Sequence, residues 1–353
     1  MHTEIHVAID VTMLTRRKIL TSLPLAAVFV MEWRQVRALE PVWHSWRNTY
    51  LQNGRVIDPQ QSRITHSEGQ GYGLLLAQAF GDRSSFKEIE DWTETNLALR
   101  DDNLMAWAFR PHVSGASLDR QTATDGDLFR AWALLRAERD SGWAGYAEKA
   151  IAIARDIAAY CLVTDPRAPL EYLLAPGAES RRGPDRVLIN PSYIMPRALR
   201  ELGVAAADPR LIRAADHGET VLSELAATGL LPNWIDVTVS GFADPREHEV
   251  IWGYDALRIP LYLTWSGRRD HAAVALGLSL LTENTEEAHL AVEVTVSGDV
   301  RTQSNLPGYF AIVDVAACRK LPSSERIGQP PFYYPDILAL LSDVATRESG
   351  CSF

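Results

Sequence analysis

Thr65-His66-Ser67-Glu68-Gly69-Gln70-Gly71-Tyr72-Gly73, continued by Leu74-Leu75-Leu76-Ala77-Gln78-Ala79, sets a carboxylate beside three glycines spaced by two and runs directly into an apolar segment. Thr65 or Ser67 can cap the helix that the apolar run predicts, which puts Glu68 in its first turn, at the open end. The glycines leave room for a bulky ligand to approach the backbone beside it. Alone, the stretch is equally what a capped core helix looks like, so its meaning depends on whether the arrangement recurs.

It does recur. Thr122-Ala123-Thr124-Asp125-Gly126-Asp127 stands before an apolar helix expected over 128–137, and Tyr254-Asp255-Ala256-Leu257-Arg258 enters one expected to run through Trp265. Between them the chain from Pro41 reads as helix after helix. Trp43, Trp46 and Tyr50 form a helical stripe, and Ser85-Phe86-Lys87-Glu88 reads as a capping box opening the next helix. Further helices are expected over 146–160, from Asn190 through Leu202, and over 209–227, 271–281, 310–320 and 335–347. The proline-rich segment 162–190 reads as irregular, 229–242 as a short hairpin and 283–304 as polar with strand character. About ten to twelve helices with short returns and no composition break after Pro41 describe a single all-α domain built of antiparallel helix pairs. In a ring of such pairs the loops carrying Glu68, Asp125 and Asp255 can gather at one end.

The 353-residue length and 46% apolar content supply an ample core. A net charge of -10 without a basic block disfavours nucleic-acid backbone binding. Ten Trp and eleven Tyr are many for this length and read either as helix-packing anchors or as flat platforms for sugar rings. The three cysteines, Cys161, Cys318 and Cys351, have no metal-ligand spacing. Cys161 and Cys318 read as inert core thiols and Cys351 as exposed. The nine histidines form no metal pattern, and His66 is a cleft or surface residue. No metal and no cofactor is expected.

Residues 1–38 read as an address. Arg16-Arg17 precedes a short apolar run, 19–31, too short to span a membrane comfortably. A charged region before such a run is the signal-peptide pattern, and the twin arginine points to export of folded protein, with cleavage near Ala38. The expectation is a periplasmic or secreted protein without stable membrane insertion after processing, its catalytic domain spanning 39–348.

Other catalytic motifs fail. Gly69-Gln70-Gly71-Tyr72-Gly73 has the wrong spacing for a dinucleotide loop, and His248-Glu249 lacks the second histidine of a zinc site. Three carboxylates at helix starts among aromatic platforms do suit glycoside hydrolysis, in which one carboxyl protonates the leaving oxygen and another activates water or attacks carbon.

Ser67-Glu68-Gly69-Gln70-Gly71-Tyr72-Gly73, Ala123-Thr124-Asp125-Gly126-Asp127, Asn190-Pro191-Ser192-Tyr193 and Tyr254-Asp255-Ala256-Leu257-Arg258 together resemble glycoside hydrolase family 8, in order and spacing. Within it they are most similar to the endoglucanases that accompany bacterial cellulose synthase. The resemblance covers Pro41 to Ala345. It implies an (α/α)6 barrel, a helical toroid with minor β-hairpins in its loops, and an inverting mechanism on a β-1,4-glucan chain. By the same resemblance Glu68 is the general acid, Asp255 the general base, and Asp125 positions the sugar and the attacking water. Tyr254 and Arg258 line that subsite, Trp107 is a stacking platform, and Asp127, Tyr193 and Trp234 are further substrate contacts. A cellulose synthase complex is the implied partner. One departure stands out: relatives often carry Trp where this chain has Val187, so a stacking subsite is missing or supplied elsewhere.

Chitosan, xylan and mixed-linkage glucan (lichenan) are alternative substrates within the family. A polysaccharide lyase would rely on Tyr, His or Arg, and a non-catalytic glucan-binding protein would not need both carboxylates. A helix N-terminus favours the ionised carboxylate, whereas a general acid needs its proton. Burial and the charge of Asp125 are expected to outweigh the helix and raise the pKa of Glu68.

Overall fold

Helices that are apolar on every side pack against helices that are apolar on one side only, and this difference sorts the chain into inner and outer elements. The computed structural model describes residues 41–180, 182–319 and 330–350, all within one compact unit. The signal segment 1–38 and Cys351 lie outside the described residues. Eleven α-helices occur among those described: α1 (41–50), α2 (Ser67–Ala79), α3 (Arg83–Asn96), α4 (Thr124–Arg139), α5 (Ala147–Asp156), α6 (Pro196–Ala206), α7 (Pro209–Ala227), α8 (Arg258–Trp265), α9 (Ala272–Thr282), α10 (Pro307–Ala316) and α11 (Tyr333–Glu348).

α2, α4, α8 and α11 are buried along almost their whole length, whereas α3 and α5 bury a single stripe, Ala150, Ile153 and Ala154 in the latter. Contacts run from α2 to α4, α6, α8 and α11 in turn and return from α11 to α2. α3, α5, α7 and α9 pack on α2, α4, α6 and α8 respectively. One continuous apolar core joins Trp43 and Trp46 of α1 to Trp132 of α4, Trp265 of α8 and Leu340 of α11. Among the described residues no helix is long and apolar enough to cross a membrane.

Five small antiparallel sheets sit in the connections. Two of them correct the expected irregular segment 162–190: Leu162–Asp165 pairs with Ala168–Leu174, and Arg186–Ile189 pairs with Ile235–Thr238. Pro169 misled the reading. A two-stranded ribbon has only edges, where proline removes no necessary donor. The segment 146–160 is α-helical only through Asp156 and then widens into a π-turn, Ile157–Cys161.

Helix starts also differ from expectation. His66, not Thr65 or Ser67, caps α2, its Nδ1 accepting from the backbone N–H of Gly69 at 2.9 Å. Asp82 caps α3 through the N–H of Ser85, so the helix opens before the expected capping box. α4 begins at Thr124, drawing Asp125 and Asp127 into its first turn rather than leaving them in the loop. Cys161 is a buried residue of the core as expected, but Cys318 is disulfide-bonded and lies just past α10 at φ 52°.

The glycines beside Glu68 do not make room for a ligand. A Cβ on Gly71 would meet the Gly126 carbonyl oxygen at 2.9 Å, and one on Gly73 would meet Val56 at 2.7 Å. On Gly126 it would lie 2.6 Å from the Ser67 carbonyl carbon and 2.7 Å from the Glu68 nitrogen. Gly71 and Gly126 let the first turns of α2 and α4 touch, and Gly73 admits Val56 against α2. Gly126→Ala forces two backbones apart, and overpacking of this kind costs about 1–3 kcal/mol. A thermal melt reads the result as a Tm several degrees lower; an unchanged Tm would show that the crossing tolerates the methyl group.

Candidate active site

The contact between the first turns of α2 and α4 places Glu68 beside Asp125, and the turn that opens α8 brings Asp255 alongside. A single guanidinium organises all three. Arg258 is 1% exposed, beneath the carboxylates. Its Nη1 donates to Glu68 Oε2, to Tyr72 Oη at 3.2 Å and, at the 3.5 Å limit, to Asp125 Oδ2. Its Nη2 donates to Asp255 Oδ1 at 2.8 Å and to Ser192 Oγ at 2.7 Å. The expected place for Arg258 in the subsite wall is therefore corrected: it lies under the floor and acts on what the carboxylates do.

Above this floor opens a cavity of about 600 Å³, lined by Glu68, Asp125, Asp255, Trp107, Tyr193 and Tyr254 among others. Trp107 is held by backbone bonds from its N–H to Gln121 O and from Ser67 N–H to its carbonyl, each 2.8 Å, and Arg110 lies over its ring at 4.9 Å. Tyr254 is 44% exposed, its carbonyl accepting from the Tyr334 hydroxyl.

Two expected contacts do not line this cavity. Asp127 is fully buried, and its Oδ1 accepts from the Met105 N–H at 2.7 Å, so it pins the loop leading to Trp107 instead of meeting substrate. Trp234 stands outside the cavity wall, stacked on His248 at 4.3 Å and 10° and set edgewise to Tyr193 at 6.2 Å. Val187 is buried opposite Val237 within a sheet, so its position offers no platform.

Several lining residues were not read from the sequence. Asp58, Tyr309, Phe332, Tyr333 and Tyr334 face the cavity, and His66 joins them. The Tyr333 ring meets His66 edge-on at 5.7 Å, and its buried hydroxyl has no hydrogen-bond partner among the described residues. The aromatic triplet Phe332-Tyr333-Tyr334 at the start of the last helix was the available signal. Nothing local says that a helix this far along the chain packs on α2. Among the described residues no group of three or more His, Cys, Asp or Glu is placed to hold a metal ion.

The electrostatics reverse the expectation for Glu68. Burial pushes its pKa up, but the Arg258 guanidinium, the nearby His66 and hydrogen bonds from Asp125 and Arg258 carry it below its ordinary value. Asp125 goes the other way: burial, then the charge of Glu68, hold it well above the carboxylate range against the pull of Arg258. These opposite directions favour the charge on Glu68 and the proton on Asp125. Asp255 is raised by burial, with Arg258 opposing, Glu68 adding, and the Asn190 hydrogen bond opposing again.

A buried carboxyl pair, a third carboxylate lining the same cavity and aromatic walls around them suit a glycoside hydrolase. The chain belongs to glycosyl hydrolases family 8, whose family model matches residues 18–347. It is 31% identical over 323 residues to a probable endoglucanase of Novacetimonas hansenii, covering 88% of this chain and 92% of that one. It is 34% identical over 255 residues to an endoglucanase of Escherichia coli K12, covering 70% and 67%. The endo-β-1,4-glucanase CMCax from Acetobacter xylinum superposes with a TM-score of 0.76 at 29% identity, over 89% of this chain and 99% of that one.

Proposed function

We propose that this protein is an inverting endo-β-1,4-glucanase that cuts cellulose or soluble β-glucan. The observation that carries the reading is the shared guanidinium. Glu68 and Asp255 bind its two ends on the floor of one cavity. A planar fork with one carboxylate on each nitrogen keeps the two carboxylates from meeting each other directly. Single displacement needs such a gap, roughly 6.5–9.5 Å between the carboxyl groups, to admit a water. The ring of six helices in contact, α2–α4–α6–α8–α10–α11 and back to α2, supports the (α/α)6 barrel proposed for residues 39–348.

In the mechanism the proton begins on Asp125. Glucan entering the cavity displaces water and brings the glycosidic oxygen against Glu68. Glu68 takes the proton from Asp125 and passes it to that oxygen as the C–O bond breaks. On the opposite face of the sugar, Asp255 removes a proton from the water that attacks the anomeric carbon. Asp125, now ionised, hydrogen-bonds the distorting ring, and Trp107, Tyr193 and Tyr254 hold the flanking sugars whose binding offsets the distortion.

Residues 1–38 serve as a twin-arginine signal segment, and the protein works in the periplasm or outside the cell. The disulfide at Cys318 supports an oxidising compartment. A cellulose synthase complex is the proposed partner, on the resemblance to the endoglucanases that accompany it. The test is a panel of cellohexaose, mixed-linkage glucan, chitosan and xylan, with the fresh product anomer read by proton NMR. The expected result is fastest cleavage of the β-1,4-glucan with the α-anomer appearing first. An initial β-anomer would refute inversion, and a preference for chitosan or xylan would refute the substrate.

A further inference from the structure

Asp255 is gripped at both oxygens, and only one grip belongs to the guanidinium. The other comes from Asn190, whose Nδ2 donates to Asp255 Oδ2 at 3.0 Å. The orientation of that amide follows from its other end. Asn190 Oδ1 accepts from the Ser192 N–H at 3.1 Å and from the Ser192 hydroxyl at 2.7 Å, so the side facing Asp255 must be the donor. The Ser192 hydroxyl, having given its proton to Asn190, accepts from the same Arg258 nitrogen that donates to Asp255 Oδ1. The bonds close a ring, Asp255–Arg258–Ser192–Asn190–Asp255, in which every donor direction is determined.

Asn190 is 1% and Ser192 0% exposed, so solvent does not compete for these bonds. The ring uses one lone pair on each oxygen of Asp255, leaving the others for the cavity that Asp255 lines. Asp255 precedes α8 in a turn, where the side chain has no helical neighbours to fix its rotamer. The amide holds the carboxylate plane, and the N–H stabilises its charged form.

We propose that Asn190 is the positioning residue of the general base: through its side-chain amide it fixes the orientation of Asp255 towards the attacking water and keeps that carboxylate ionised. The inference rests on the reading of Asp255 as the base. An aspartate at position 190 could cap the Ser192 turn equally well, since Asp and Asn are comparable acceptors there. Only the donor to Asp255 requires an amide. The titratable and charged groups facing Asp255 are Arg258 on its own turn, Glu68 from α2, His248 from the preceding loop, and the hydroxyls of Tyr193 and Tyr334. None of the variants below removes any of them.

The experiment compares full-length wild type, Asn190→Asp, Asn190→Ser and Asp255→Asn on cellohexaose, with kcat, KM and the pH profile of kcat/KM. Both Asn190 variants keep an acceptor for the Ser192 turn, and thermal melts report that they are folded; should the charged variant melt early, the serine variant carries the test. The base works ionised, so its pKa is the acidic limb of the profile. Losing the N–H donor moves that limb to higher pH, by roughly one unit for Asn190→Ser and further for Asn190→Asp, where a like charge replaces the donor. kcat falls about ten-fold or more while KM stays within about two-fold, the pattern of a lost transition-state contact. An unshifted acidic limb in both folded variants, with Asp255→Asn inactive, overturns the proposal and leaves the function standing. An active Asp255→Asn overturns both.

Discussion

Glu68→Gln is expected to remain folded, to bind cellohexaose as the wild type does, and to cleave it about a thousandfold more slowly, within the range typical of a lost general acid. The amide keeps the shape of the carboxyl and its oxygen can still accept from Arg258, but it has no proton to give to a leaving alkoxide. Stability changes little, for an electrostatic reason. In the wild type the pKa of Glu68 is lowered and that of Asp125 raised, by burial first and then by the charge of Glu68. Removing that charge lets Asp125 ionise in its place, so Arg258 still faces one anion there. A substrate whose leaving group needs no protonation separates acid loss from general damage. On a dinitrophenyl β-cellotrioside, whose phenolate departs unaided, the variant should lose less than about ten-fold. Equal losses on both substrates would mean that Glu68 does something other than protonate, and the acid would have to be sought elsewhere, Asp125 first.

That the pKa of Glu68 is lowered while that of Asp125 is raised could not be read from the chain. The sequence showed Glu68 at a helix start and Asp125 at another, and the local terms visible there, helix dipole and burial, oppose each other. The deciding term is Arg258, 190 residues from Glu68, whose depth depends on how α8 packs. The same holds for Asp127, two residues from Asp125 yet on the buried side of α4 because the helix begins earlier than its apolar run. Short-range patterns fared better. The apolar run after Gly73, the Trp43/Trp46/Tyr50 stripe, the hairpin near Val237 and the full extent of α7 were all legible, since each is set by neighbours within a few turns. Tyr333 and Tyr334 reach the cavity only because α11 packs on α2 at the other end of the chain, and no local spacing encodes that.

Arg258→Met should be the most damaging single change in the protein, for stability as much as for activity. The guanidinium is buried and touches Glu68, Asp125 and Asp255 together, with two hydroxyls besides. Removing one partner of a buried ionic group leaves the others uncompensated, at a cost of about 3–5 kcal/mol. For a domain of this size that lowers Tm by roughly 5–10 °C at neutral pH. The dependence on pH has a definite sign. In the wild type the folded pKa of Glu68 is depressed, so its contribution to stability is present above its unfolded pKa of about 4.3 and is lost as pH falls. Without the guanidinium, burial dominates: the folded value of Glu68 rises above its unfolded one, and that of Asp255, already raised, rises further. The folded variant then binds more protons than the unfolded chain, and its stability falls as pH rises through that window. The gap in Tm between wild type and variant should therefore be widest near about pH 7 and close towards about pH 4. Arg258→Lys restores a charge but not the fork, since an ammonium cannot bridge Glu68 and Asp255 while also reaching Ser192. It should recover part of the Tm and almost none of the kcat. A Tm gap that stays constant from about pH 4 to 7 would show that Arg258 stabilises by packing alone, and the shared guanidinium would no longer account for how the two catalytic carboxylates are held at their working separation.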